Sequence, residues 1–250
     1  MSGAPADTAY HAALEYLYSL RTFGTRLGIE RMRALLDALG SPDARLTFLH
    51  LAGTNGKGST AAMLAAILRA AGLRVGLYTS PHLVEFTERI QVNAEPITPA
   101  DAHALLQRVR ACAESLPGEH ATFFEVVTAM AACHFAERAC DVVVWETGLG
   151  GRLDATNAVH ACASAITTVA RDHCQWLGES LAQIAAEKAG IIKPHTPVFT
   201  TATHPEVLPV IAQHAHERAA PLTLVCEDHE PVTPGPPARI IRYSGVPLGA

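Results

Sequence analysis

Strand-like and helix-like segments alternate along this chain. That order predicts an α/β fold: a mostly parallel sheet with helices on both faces. Three observations support it. Apolar runs suited to strands recur at residues 46–51, 73–79, 141–146, 163–169, 197–201 and 222–226, with helical patterns between most of them. The run Val142-Val143-Val144-Trp145 is continuously apolar, as in a strand covered on both faces. A glycine-rich turn joins the first strand to a helix, the connection typical of nucleotide-binding sheets.

In chain order, residues 9–20 and 29–39 read as amphipathic helices, joined by Arg21-Thr22-Phe23-Gly24-Thr25-Arg26. Strand 46–51 leads through the glycine-rich turn to helix 61–71, which Gly72 closes. Strand 73–79 follows. Helix 98–115 opens on Thr98-Pro99-x-Asp101: a hydroxyl cap, a proline in the first turn and an early acid. Helix 123–139 leads to strand 141–146, and strand 163–169 to helix 180–189. Strand 197–201, helix 205–219 and strand 222–226 complete the alternation. The last twenty residues hold five prolines (Pro231, Pro234, Pro236, Pro237, Pro247), which predicts an extended segment with one strand at residues 239–243. The expected organisation is one domain over residues 1–230, with the helical pair at its start, and a proline-rich end segment over 231–250.

Composition narrows the function. The 250 residues are 49% hydrophobic, enough for a substantial core, and the net charge is −5 with no basic block. Binding to nucleic acid or an anionic membrane therefore has no electrostatic support. No apolar run approaches the roughly 20 residues of a membrane span, and no basic-then-apolar leader is visible at the start. The six cysteines contain no C-x-x-C pair. Reduced, packed thiols in a cytoplasmic protein are the expectation.

The richest stretch is Gly53-Thr54-Asn55-Gly56-Lys57-Gly58-Ser59-Thr60. Its glycines let backbone N–H groups approach phosphates, Lys57 adds a compact positive charge, and Ser59 or Thr60 offers a hydroxyl to Mg²⁺. It is not a literal Walker A loop. Leu51 stands where that pattern needs its first glycine, and Gly58 stands where it needs Ser or Thr.

Further segments accompany the loop: Thr79-Ser80-Pro81-His82-Leu83, Glu88-Arg89-Ile90, Thr122-Phe123-Phe124-Glu125, Glu146-Thr147-Gly148-Leu149-Gly150-Gly151-Arg152-Leu153-Asp154-Ala155-Thr156-Asn157, Asp172-His173 and Glu187-Lys188-Ala189-Gly190. Together they closely resemble the folylpolyglutamate synthase/dihydrofolate synthase family of the Mur-ligase group, from about Tyr16 to about Thr201. Peptidoglycan Mur ligases fit less well, because they usually carry Lys-Thr where this chain has Lys57-Gly58-Ser59, and they lack the Thr-Ser-Pro-His-Leu segment.

The resemblance implies an ATP-dependent, amide-forming ligase. It phosphorylates a carboxylate of a pteroate or folate, and the amine of glutamate then displaces the phosphate. It implies two Mg²⁺ ions, with Ser80, Glu146, His173 and Lys188 at the metals and Lys57, His173 and Lys188 as catalytic groups. Residues 53–60 would hold ATP. Thr122, Phe123, Phe124, Glu125, Leu153, Asp154 and Ala155 would hold the pterin, with Phe123 and Phe124 offering aromatic surface and Asp154 accepting from ring N–H groups. Lys188 in such proteins is often carbamylated by CO₂, which replaces an ammonium with an oxygen ligand suited to Mg²⁺.

Each residue also has a plainer reading. Glu146 fits an ordinary strand-end acid, Ser80 a turn serine before Pro81, His173 a hydrogen-bonder oriented by Asp172, and Lys188 a helix-surface ion pair. Thr147 and Arg171 depart from the apolar residues usual at their positions in the family. The family's chains normally continue into a second α/β domain that supplies further ATP contacts and much of the glutamate site. The expectation is therefore a monomeric chain whose activity needs that domain, separate or missing. The alternative is a nucleotide-binding module, inactive alone, that docks a partner.

Overall fold

The computed structural model describes residues 5–24, 28–118, 120–227 and 239–243. Thr25, Arg26 and the five prolines of the end segment lie outside the described residues.

Two helices come first, α1 (Pro5–Ser19) and α2 (Glu30–Ala38). Strand β1 (Phe48–Ala52) then feeds α3 (Lys57–Ala70). The helix starts at Lys57 rather than at residue 61 because Gly56, at φ 80°, turns the chain straight into it. Next come β2 (Val75–Tyr78), β3 (Ile90–Val92) and β4 (Glu95–Pro96). Helices α4 (Pro99–Ser115) and α5 (Phe123–Glu137) lead to β5 (Val142–Glu146) and β6 (Ala161–Ile166). The short α6 (Cys174–Leu177), α7 (Leu181–Ala189), β7 (Val198–Thr200), α8 (Leu208–Glu217), β8 (Leu222–Glu227) and β9 (Arg239–Tyr243) complete the described chain. Thr98 caps α4 by accepting from the Asp101 N–H at 3.1 Å, as its sequence predicts.

The nine strands form one sheet in the order β4-β3-β2-β5-β1-β6-β7-β8-β9. All pairings from β2 to β9 are parallel, so the strand expected at 239–243 extends the sheet beside β8. The antiparallel β3 and β4 were not visible in the sequence pattern. They span three residues and two, too few to show a period, and they turn at Asn93 and Ala94, both at positive φ.

One face of the sheet packs against α1, α2, α4 and α5, and farther along against α7 and α8. Helix α3 covers the other face over β1, β5 and β2. The continuous apolar run of β5 follows from this double cover: all five of its residues are buried. Trp145 sits at the centre of the larger core. Its ring lies 4.6 Å from Tyr78, 5.2 Å from Phe48 and 6.2 Å from Phe135, centroid to centroid. These spacings suit tilted and edge-on aromatic contact.

Gly76 makes room for this cluster. A Cβ there would lie 2.8 Å from Phe135 Cδ1. Gly76→Val should therefore lower the unfolding free energy by about 1–3 kcal/mol through overpacking. Urea denaturation reads this, and an unchanged midpoint would contradict the packing described.

Candidate functional site: a phosphate loop beside a buried carboxylate

The loop after β1 is pinned to the end of β6. Gly53, at φ 152°, approaches Thr167 so closely that a Cβ would fall 1.8 Å from Thr167 Oγ1. The Thr54 N–H donates to Thr168 O at 2.7 Å. Thr54 Oγ1 donates to Ala170 O at 3.1 Å and accepts from the Ala170 N–H at 3.0 Å. Thr167 and Thr168 hydroxyls both donate to Asn55 O, at 2.8 and 3.2 Å. These bonds occupy the loop's outward-facing groups. Gly56 then aligns Lys57, Gly58, Ser59 and Thr60 as the first turn of α3, whose positive end suits an anion.

Two lysines converge on one carbonyl. Lys57 Nζ donates to Gly53 O at 3.0 Å and to Thr54 O at 3.2 Å. Lys188 Nζ, from α7, donates to the same Gly53 O at 2.9 Å. Lys188 is only 3% exposed. Burial, reinforced by the Lys57 charge, pushes its amine down to about 8. Among the described residues neither lysine forms an ion pair, so the surface-pair reading of Lys188 is corrected. Its neighbour Glu187 pairs instead with Arg152, at 2.7 Å.

Glu146 closes the opposite wall. It ends β5, is buried, and accepts from the Ser80 N–H at 3.0 Å through Oε2. Burial raises its pKa, opposed by that bond and by the charges of Lys57 and Arg89. The solvated-acid reading is thereby excluded. Gly58 stands where the Walker pattern has Ser or Thr, and it faces Glu146: a Cβ there would meet the two carboxylate oxygens at 3.7 and 3.8 Å, an ordinary contact.

His173 lies in the segment that follows β6. It is exposed, at φ 49° before the short α6, with Nε2 3.6 Å from Asp172 Oδ2. Among the described residues no three His, Cys, Asp or Glu side chains are placed to hold a metal ion together. The structure thus joins Ser80 to Glu146 and Lys188 to the phosphate loop, and Asp172, next to His173, is near enough to Lys188 for its charge to favour the ammonium. Ser80 and Glu146 fit a hard cation: a buried carboxylate with no ion pair among the described residues, hydrogen-bonded to the backbone of a serine.

A cavity of ≈ 390 Å³ opens next to Ser80. All seven residues expected at the pterin line it: Thr122, Phe123, Phe124, Glu125, Leu153, Asp154 and Ala155. Several also hold the fold. Thr122 and Glu125 form the capping box of α5, with Glu125 Oε2 accepting from the Thr122 N–H at 2.7 Å and the Thr122 hydroxyl at 2.9 Å. Asp154 Oδ2 accepts from the Gly148 and Leu149 N–H groups at 3.1 and 2.8 Å. Its Oδ1 accepts from the Thr156 N–H at 3.0 Å and from the Thr156 hydroxyl. Phe123 stacks on Tyr18 with ring centroids 5.9 Å apart, so the aromatic surface expected of it is largely taken up. Phe124 faces Gly148, where a Cβ would meet the ring at 2.4 Å. Sequence reasoning missed Arg21 and Arg89, which also line this cavity. Both stood inside quoted segments, but nothing in their spacing marked them.

A phosphate loop at the carboxyl edge of a mostly parallel sheet, facing a buried acid, defines a nucleotide-binding domain of the ligase type. Residues 51–224 match the family model of the Mur ligase middle domain, and the chain belongs to that family. It is 43% identical over 218 residues to the dihydrofolate synthase/folylpolyglutamate synthase of Bacillus subtilis, covering 86% of this chain and 51% of that protein. The folylpolyglutamate synthase structure from Thermotoga maritima superposes with a TM-score of 0.80 at 41% identity, over 89% of this chain and 51% of that one. Escherichia coli FolC in complex with DHPP and ADP gives 0.78 at 36% identity, over 87% and 52%. The chain thus spans about half the length of the relatives it matches.

A buried chain of hydrogen bonds ties β1 to the cavity wall. Because the Thr156 hydroxyl donates to Asp154, it accepts from His50 Nε2 at 2.9 Å, and His50 Nδ1 has no partner among the described residues. Burial pushes the His50 imidazole down to about 3. The unfolded chain takes up this proton near pH 6.5, while the folded protein refuses it until about pH 3. His50 therefore removes stability as pH falls through that window, by up to about 4 kcal/mol. Urea unfolding between pH 7 and 4 should show a steeper loss in the parent than in His50→Gln. Parallel pH profiles would contradict this.

Proposed function

We propose that this chain is the ATP- and acid-binding part of a dihydrofolate synthase/folylpolyglutamate synthase. On this reading the domain takes in residues 1–230 together with β9, which pairs with β8 in the same sheet although the expected boundary fell before it. The observation carrying the proposal is the pair of lysines, without ion-pair partners among the described residues, that meet at the Gly53 carbonyl, with the Lys57 charge acting on the buried Glu146. Cationic groups so arranged suit polyphosphate, and the adjoining cavity suits a flat acid.

The reaction adds glutamate to dihydropteroate or to a folate. A carboxylate oxygen of the acceptor attacks the γ-phosphorus of ATP, giving an acyl phosphate and ADP. The amine of glutamate then attacks the acyl carbon, phosphate leaves, and the amine sheds a proton. Catalysis of this kind rests on positioning and charge neutralisation. Residues 53–60 would cradle the phosphates, with Lys57 against them. Thr122 to Glu125 and Leu153 to Ala155 would enclose the pterin. A ring donor reaching Asp154 would share its oxygens with the four internal donors.

Mg²⁺, when bound, neutralises phosphate charge. Ser80 and Glu146 would hold one ion, and His173 with Lys188 a second. Lys188 suits carbamylation, because an amine near 8 is partly neutral at cellular pH: its lone pair attacks CO₂, and a proton is released. The acceptor, ATP and glutamate are the expected partners, the cytoplasm the expected compartment and a monomer the expected state. Because relatives are about twice as long, synthesis is expected to need the region they carry beyond this one.

Lys57→Ala should weaken binding of ATP with Mg²⁺ about tenfold or more, the loss expected for a charge-assisted contact. Calorimetry showing equal affinity would refute the loop assignment. ADP release with dihydropteroate and glutamate should be near background for this chain alone and should rise when a relative's C-terminal half is supplied. In that reconstituted enzyme Lys188→Ala should abolish turnover, and ¹³CO₂ NMR of the parent should show a carbamate. Full activity in Lys188→Ala would eliminate the role given to this lysine.

A further inference from the structure

Arg89 is 5% exposed, yet it forms no ion pair among the described residues. A buried guanidinium without an acid is costly unless something supplies the charge. The acids around it are engaged elsewhere. Glu88 accepts from the N–H groups of Leu83, Val84 and Glu85 at 2.7, 3.0 and 2.7 Å. Glu125 and Asp154 are taken up by their own turns, and Glu146 by the Ser80 N–H.

The side chain is nevertheless held firmly. Arg89 Nε donates to His82 Nδ1 at 2.7 Å, and the guanidinium carbon sits 5.4 Å from the centre of the Phe123 ring. Arg21 stands on the same ring at 4.8 Å and on Tyr18 at 4.6 Å, also without an acid among the described residues. Two guanidinium groups therefore share one aromatic platform, and both line the ≈ 390 Å³ cavity. The Thr79 N–H donates to Arg89 O at 3.1 Å, which places Arg89 opposite the segment carrying Ser80. The cavity therefore has a cationic pole near Ser80, while Leu149, Leu153 and Ala155 add apolar wall.

We propose that Arg89, assisted by Arg21, binds the carboxylate of the acceptor acid and presents it to the phosphate loop. This rests on the reading of the cavity as the acceptor site. The planar fork of Arg89 matches a carboxylate, and a neutral isostere would leave the buried charge unpaired. His82, in the Thr-Ser-Pro-His-Leu segment, acts here as a positioning residue that fixes the orientation of Arg89.

The test is calorimetry on the 250-residue chain without nucleotide, using pteroic acid and its carboxamide as probes. The parent should bind the acid about tenfold or more tighter than the amide, as expected for losing a charged hydrogen-bond partner. Arg89→Met should bind the acid only as tightly as the amide, with amide affinity unchanged. Arg89→Lys, which keeps the charge but loses the fork, should fall between. Equal binding of acid and amide by the parent would overturn the carboxylate clamp and leave the cavity reading intact. Binding of neither would overturn both. An equal loss of both probes in Arg89→Met would make the arginine structural. Weaker ATP binding in Arg89→Met with the acid preference intact would give the guanidinium to phosphate instead, and refute the proposal.

Discussion

A single carbonyl oxygen, that of Gly53, organises the site. It accepts from Lys57 of the loop's own helix and from Lys188, far along the chain. A carbonyl has two lone pairs, so both can be satisfied together. The arrangement is possible only because Gly53 lies against Thr167 with no side chain between them. Two ammonium groups held this close, with one of them buried, make a local positive field. Burial, with the Lys57 charge adding to it, depresses the Lys188 amine, and the Lys57 charge favours the ionised form of Glu146 against the cost of its burial.

Strand order gives this interaction its place. β1 runs between β5 and β6 and is parallel to both, so their carboxyl ends emerge on one edge. The loop after β1, Glu146 at the end of β5, and the Thr167–Ala170 segment after β6 meet there. β2 lies on the far side of β5, and its exit brings Ser80 to Glu146. In open parallel sheets ligands bind along this edge, where crossovers to helices leave a crevice.

The cavity beside that edge shows how little of a binding wall is free for binding. Thr122, Glu125 and Asp154 each complete a turn or a helix start before any ligand arrives. Such groups fix the wall's shape, since their partners are backbone N–H groups that would otherwise be buried and unpaired. The guanidinium groups of Arg21 and Arg89 line the same wall with no acid paired to them among the described residues.

Read alone, the sequence determined the layered α/β fold, the central strands and the phosphate loop. These features are local: apolar runs, glycines at a strand-to-helix turn and a lysine at the helix start all occupy neighbouring positions. Even there it set the start of α3 late, because the first turn, Lys57-Gly58-Ser59-Thr60, has no apolar period. Only the tertiary structure decided that Lys188 is buried against Gly53, that Gly58 faces Glu146, and that Arg89 is buried with no acid paired to it among the described residues. Each of these depends on residues far apart in the chain meeting at one sheet edge, where burial sets both charge and contact. A one-dimensional pattern carries no record of burial at such a crossing, so the identity of a residue was legible and its environment was not.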